Sequence, residues 1–123
     1  MLEYPSFCHF TCQPMTFEDY QEQSKKTAFY PDWGNNFIYP ALGLASEAGE
    51  VAGKIKKVVR DKAGVADEQT RKEIGKELGD TLWYLSQLAS ELGLSLATLA
   101  VENLNKLQDR QQRHTLSGDG DNR

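Results

Sequence analysis

Cysteine and histidine are scarce in this chain of 123 residues, with two of each. Cys8 and Cys12 flank His9 in CHFTC, but the other histidine, His114, is far away in sequence. A structural zinc site needs four ligands at recognisable spacings, and a disulfide scaffold needs several cysteine pairs, so both classes fall away. The cysteines are expected to be isolated thiols. No apolar run approaches the roughly 20 residues of a membrane-spanning helix. The opening MLEYPSFCHF lacks a basic segment followed by an apolar one, so no secretory signal is read and a cytoplasmic location is expected. Basic charge is also short: 14 Lys and Arg against 18 Asp and Glu give a net charge of −4. That excludes a general nucleic-acid binder, whose footprint is a basic patch. It leaves a nucleotide ligand open, because a metal ion can supply positive charge locally.

What remains is an ordinary globular composition, 39% hydrophobic and 26% charged, in a chain long enough for one domain. Residues 1–15, with Pro5 and Pro14, read as an irregular lead-in. Thr16 is a fitting N-cap, with Glu18 and Asp19 in the first turn, for a helix of about four turns. YPDWGNN at 30–36 is turn chemistry. A second helix is expected from Pro40 to Arg60 and a third from Asp67 to Leu92, stopped by Gly93. Ser95 caps a fourth that ends near Arg113. The Gly- and Asp-rich residues 114–123 read as a flexible tail. Four helices joined by short links imply an all-α fold, a four-helix bundle over residues 16–113.

Two stretches within it crowd like charges: EAGE at Glu47–Glu50 and ELGD at Glu77–Asp80. A helix advances about 100° per residue, so Glu47, Glu50, Lys54 and Lys57 share a face within about 80°. Leu44, Ala48, Val51, Ile55 and Val58 form the apolar stripe beside them. On the third helix Glu73, Glu77, Asp80 and Tyr84 line up beside Ile74, Leu78, Thr81, Leu85, Leu88 and Leu92. If the two stripes pack together, four carboxylates converge at the edge of the interface. They repel and resist desolvation unless a cation sits among them. Hard oxygen donors without histidine suit Mg²⁺ or Mn²⁺. The alternative is a pair of solvated faces, since E-x-x-E with nearby lysine is common on helix surfaces.

LASEAGEVAGKIKKVVR followed by KEIGKELGDTLWYL resembles the signature of the MazG-like nucleoside triphosphate pyrophosphohydrolases, of the all-α NTP pyrophosphatase superfamily. That signature pairs E-x-x-E on one helix with E-x-x-D on the next; here 26 residues separate Glu50 from Glu77, toward the long side for the family. VENLNKLQDR at 101–110 is similar to the family's N-x-x-K-L segment. The resemblance spans residues 16–113 and leaves the lead-in outside. It implies Mg²⁺ ligation by Glu47, Glu50, Glu77 and Asp80, with Mn²⁺ able to substitute. It also implies triphosphate contacts from Lys54 and Lys57, and sugar or phosphate contacts from Asn103 and Lys106. The implied reaction splits a (d)NTP between its α- and β-phosphates into (d)NMP and pyrophosphate. Glu50, with Glu47 beside it, is taken as the catalytic carboxylate that accepts the proton of the attacking water. Arg110 and Arg113 are read as solvated residues of a helix C-terminus.

For the base, Trp33, Tyr30, Phe37 and Tyr39 form an aromatic cluster, with Tyr84 on the acid-bearing face and Asn35–Asn36 able to read a base edge. The competing reading is that these rings close the core over the helix ends. Trp83 falls on the side away from the apolar stripe and is expected to be exposed, as an assembly contact. The resemblance implies a homodimer or homotetramer and a deoxynucleotide preference; dGTP or GTP is the leading substrate. Two rival classes make different demands. A di-iron bundle would need E-x-x-H pairs, and there are none. A non-catalytic acidic helical adaptor or oligomerisation protein would tolerate Glu→Gln changes.

Overall fold

The structure is a computed structural model that describes residues 14–123. Of the expected lead-in, only Pro14 and Met15 fall within this span, and they have no regular structure. Cys8, His9 and Cys12 lie outside the described residues.

Four helices follow: α1 Phe17–Lys25, α2 Ile38–Asp61, α3 Glu68–Glu91 and α4 Leu96–Gln112. The fold is all-α, as the sequence implies, and no described helix is long and apolar enough to cross a membrane. Each start except that of α2 has the expected cap. The Thr16 hydroxyl accepts from Asp19 N at 3.0 Å, while the Asp19 carboxylate accepts from Thr16 N at 3.0 Å, completing a capping box. Asp67 accepts from Thr70 N at 2.8 Å and Ser95 from Thr98 N at 3.2 Å.

Two boundaries differ from expectation. α1 closes after nine residues rather than four turns. From Lys26 to Ala28 the chain tightens into i→i+3 turns, and Tyr30, preceding Pro31, is sterically disfavoured in the helical region. α2 starts two residues before Pro40, with Phe37 at its N-cap and no side-chain cap; one residue earlier, Asn36 Oδ1 accepts from Tyr39 N of the first turn at 3.1 Å. Pro40 then occupies the third helical position, where its missing N–H has no helical partner to lose. The stop at Gly93 is as expected. Gly93 has φ +67°, and Leu94 N donates to Ala89 O at 2.8 Å while Gly93 N donates to Ser90 O at 3.1 Å. That is the Schellman pattern, which needs a left-handed residue after the helix.

α2 and α3 pack as a long antiparallel hairpin, α1 lies against α3, and α4 packs on α1. A polar network locks α1 in place. Ser24 Oγ is 3.0 Å from Ser86 Oγ and accepts from Gln87 Nε2 at 3.0 Å. Gln21 donates to Ser90 Oγ and to the Leu94 carbonyl, and accepts from Leu96 N at 2.8 Å.

The apolar core is thin. Among the described residues the buried apolar side chains are Tyr30, Val58, Ala89 and Leu96, together with Pro40. Leu78, Leu85 and Leu92 of the expected α3 stripe stay exposed, as does Ile55 of α2. The cause is geometric: short α1 covers only the Ser86 end of α3, so one chain supplies no second layer over the rest of the hairpin.

Candidate metal centre

Antiparallel packing of α2 on α3 carries Glu47 across from Glu77 and Asp80. One oxygen from each of these three carboxylates lies within 4.8 Å of the others. Glu47 and Glu77 are half-buried and Asp80 is exposed. The electrostatics are those of crowded anions. Desolvation first, then the charges of Asp80, Glu77 and Glu50, holds the Glu47 carboxyl above the usual carboxylate range. Lys54, about two turns beyond Glu47, reaches across so that its Nζ lies 3.3 Å from Glu77 Oε1. Three hard oxygen donors with excess negative charge fit a divalent cation such as Mg²⁺ or Mn²⁺ better than a soft metal.

The remaining expected residues are placed less uniformly. Glu50 is exposed and outside the three-carboxylate group, although its charge reaches Glu47. Lys57 is exposed, and its charge acts on Asp61, further along α2. Asn103 and Lys106 line a hollow of about 690 Å³ with Leu82, Leu85 and Leu99, between α3 and α4. Lys106 is also 3.4 Å from Asp121 Oδ1. Arg110 is not solvated as expected: it is 4% exposed and donates to the Asp121 carbonyl at 2.6 Å. Arg113 is exposed at the C-terminus of α4 and pairs with Asp109 at 2.7 Å.

Beside the acids runs a line of aromatic rings. Tyr30 stacks on Tyr39 with centroids 5.0 Å apart, Tyr39 lies 6.4 Å from Tyr84, and Trp83 meets Tyr84 edge-on at 5.0 Å. Desolvation, then Tyr39, then the charges of Glu47 and Asp80 push the Tyr84 hydroxyl upward, so the ring borders the acidic group. Tyr84 fits there because residue 43 is glycine; a Cβ would come within 2.2 Å of its ring. Trp83 differs from expectation: it is half-buried, with its indole N–H donating to Thr27 Oγ1 at 2.8 Å. Trp33 is exposed and lines a hollow of about 490 Å³ with Phe29, Tyr30 and Pro31. Asn36 is not free to read a base, since its amide nitrogen donates to the Pro31 carbonyl at 2.9 Å while its oxygen accepts from Tyr39 N.

Sequence reasoning missed two contributors. Tyr20 of α1 has its hydroxyl pushed up by desolvation and then by the charge of Asp80, which places it at the acidic edge. Glu91 fixes the turn that carries Trp33: its carboxylate accepts from Tyr30 OH at 2.5 Å, Gly34 N at 2.8 Å and Asn36 N at 3.0 Å. Desolvation alone would raise its pKa, but these hydrogen bonds hold it lowered. The signal was present, because Glu91 continues the 77–80–84 face at helical spacing.

Comparison with known proteins identifies the family. The family model described as the MazG nucleotide pyrophosphohydrolase domain matches residues 40–115, which take in almost all of α2 and the whole of α3 and α4. The chain is similar to the "Gene 37 protein" of Mycobacterium phage L5, with 44% identity over 114 residues, covering 89% of this chain and 100% of that protein. No solved structure matches.

Proposed function

The chain belongs to the MazG nucleotide pyrophosphohydrolase family, and on that premise we propose that it hydrolyses a (d)NTP between the α- and β-phosphates to (d)NMP and pyrophosphate. The observation that carries the proposal is the meeting of Glu47, Glu77 and Asp80 across the α2–α3 hairpin, inside the matched segment. These three, with Glu50 at the exposed rim, would hold Mg²⁺, and Mn²⁺ would serve in its place. The bound cation would neutralise phosphate charge and make the attacking water more acidic at neutral pH.

The protein's own share is positioning and proton transfer, as expected of a reaction that needs little covalent help. Water adds to phosphorus, the bridging P–O bond breaks, and the water's proton passes to Glu50, with Glu47 as the neighbouring carboxylate. Lys54 and Lys57 meet phosphate oxygens, and Tyr84 and Trp33 offer faces to the base. dGTP or GTP is the leading substrate.

Asn103 and Lys106 belong in this reading to an assembled site. The exposed Leu78, Leu85 and Leu92 and the apolar hollow between α3 and α4 are surfaces for a second copy, in a homodimer or homotetramer. Burying them would give each hairpin the second layer it lacks.

The test is product analysis by ³¹P NMR with Mg²⁺ and a panel of NTPs and dNTPs. Nucleoside monophosphate plus pyrophosphate is expected. Nucleoside diphosphate plus orthophosphate would refute the cleavage position, and no turnover of any triphosphate would favour an acidic adaptor.

A further inference from the structure

We propose that Lys54 is the resident counter-ion of the acidic centre, exchanged from Glu77 to a substrate phosphate when a divalent cation is taken up. The second half of this inference rests on the hydrolase reading above; the first half does not.

Lys54–Glu77 is unlike the other ion pairs of the described residues. Both of its side chains are shielded, at 28% and 20% exposed, whereas every other pair has at least one side chain that is 56% exposed or more. Shielded pairs are screened less by salt, so this one holds its charge at the centre more firmly than a pair with a solvated partner would. It also joins α2 to α3 at the point where the three carboxylates meet. Lys54 thus cancels the charge of one carboxylate and leaves Glu47 and Asp80 facing each other, in line with the upward push on Glu47.

The arrangement forces a choice on Glu77. An oxygen that accepts from an ammonium at 3.3 Å cannot serve a divalent cation without bringing two positive groups together. Lys54 can yield, because its four-carbon stem swings the ammonium through several ångströms with the helix fixed. Once released it remains on the acid-bearing face of α2, as a free cation facing whatever polyphosphate the centre receives. Metal uptake and phosphate uptake are therefore coupled through one side chain: the cation makes Lys54 available, and the phosphate gives Lys54 a new partner.

The experiment is calorimetric titration of the full chain with Mn²⁺, alone and with a nonhydrolysable nucleoside triphosphate, for wild type and Lys54→Met. Lys54→Met should bind Mn²⁺ alone about fivefold more tightly, and should lose about fivefold or more of the affinity gain that nucleotide confers on Mn²⁺ in wild type. Lys54→Gln, with a polar end, carries the same expectation should the Met variant fail to fold. Unchanged or weaker Mn²⁺ binding in a folded variant overturns the proposal, as does a wild type that binds no Mn²⁺. Turnover measured alongside separates the two readings. Tighter Mn²⁺ binding in the variant with no hydrolysis by wild type would support the counter-ion and refute the hydrolase. Hydrolysis by wild type with unchanged Mn²⁺ affinity in the variant would do the reverse.

Discussion

Glu91 offers the sharpest test of how the aromatic turn is held. Replacing it with alanine strips an acceptor from three donors at once: Tyr30 OH, Gly34 N and Asn36 N. Their losses differ because their access to water differs. Tyr30 is only 8% exposed, so its hydroxyl is left largely without a partner, at a cost of about 1–3 kcal/mol. Gly34 is exposed and its N–H rehydrates, with a loss near ~0.5 kcal/mol. Half-buried Asn36 falls between, at about 1 kcal/mol. Together Glu91→Ala should lose about 2.5–4.5 kcal/mol, read in urea as a midpoint lower by about 1–2 M with an unchanged slope. Glu91→Gln keeps the volume and one acceptor oxygen and should lose roughly half as much. Trp33 fluorescence should shift in both variants, since the turn that carries it is released. A loss below ~0.5 kcal/mol for Glu91→Ala would show that the turn stands without this carboxylate and would refute the reasoning.

Three further outcomes follow from the same geometry. Gly43→Ala gains about 1 kcal/mol of helix propensity but must displace the Tyr84 ring, at about 1–3 kcal/mol for overpacking; chemical denaturation should show a net loss, and a net gain would mean Tyr84 moves freely. Asp67→Ala should lower the melting temperature at pH 7. Hydrogen bonds from Thr70 and Lys62 hold the Asp67 carboxyl far below its ordinary value of 3.8, so its contribution is full above that value and fades as pH falls toward the native value. Wild type and variant should therefore converge in acid, and a gap independent of pH would contradict the assignment. In metal-free buffer Glu47 behaves oppositely: its raised pKa means stability is lost as pH rises through the native value, and saturating Mn²⁺ should restore it.

The helix starts at Thr16, Asp67 and Ser95 were legible because capping is local: the residue and its partner lie three positions apart. The acidic face was legible for a related reason, since helical spacing alone puts Glu77, Asp80 and Tyr84 in line. What stayed hidden depends on distant partners. α1 ends beside Thr27, whose hydroxyl takes the Trp83 indole N–H 56 positions away. Asn36 reads as a base-binding amide until Pro31 and Tyr39 are seen to occupy both its ends. Arg110 reads as a solvated helix end, yet Asp121 folds back onto it. The apolar stripe through Leu78, Leu85 and Leu92 is expected to pack but lies exposed, because periodicity marks a face and not its cover.

The central claim is that Glu47 and its neighbours crowd together for a cation at some expense to the empty protein. Glu47→Gln separates that claim from its rivals, with turnover of a dNTP under Mg²⁺ and thermal melting without metal measured on the same sample. The account predicts turnover down by at least about a hundredfold together with a metal-free melting temperature equal to or above that of wild type, because one repelling charge has gone. Full activity, or activity lost only in step with unfolding, would contradict it.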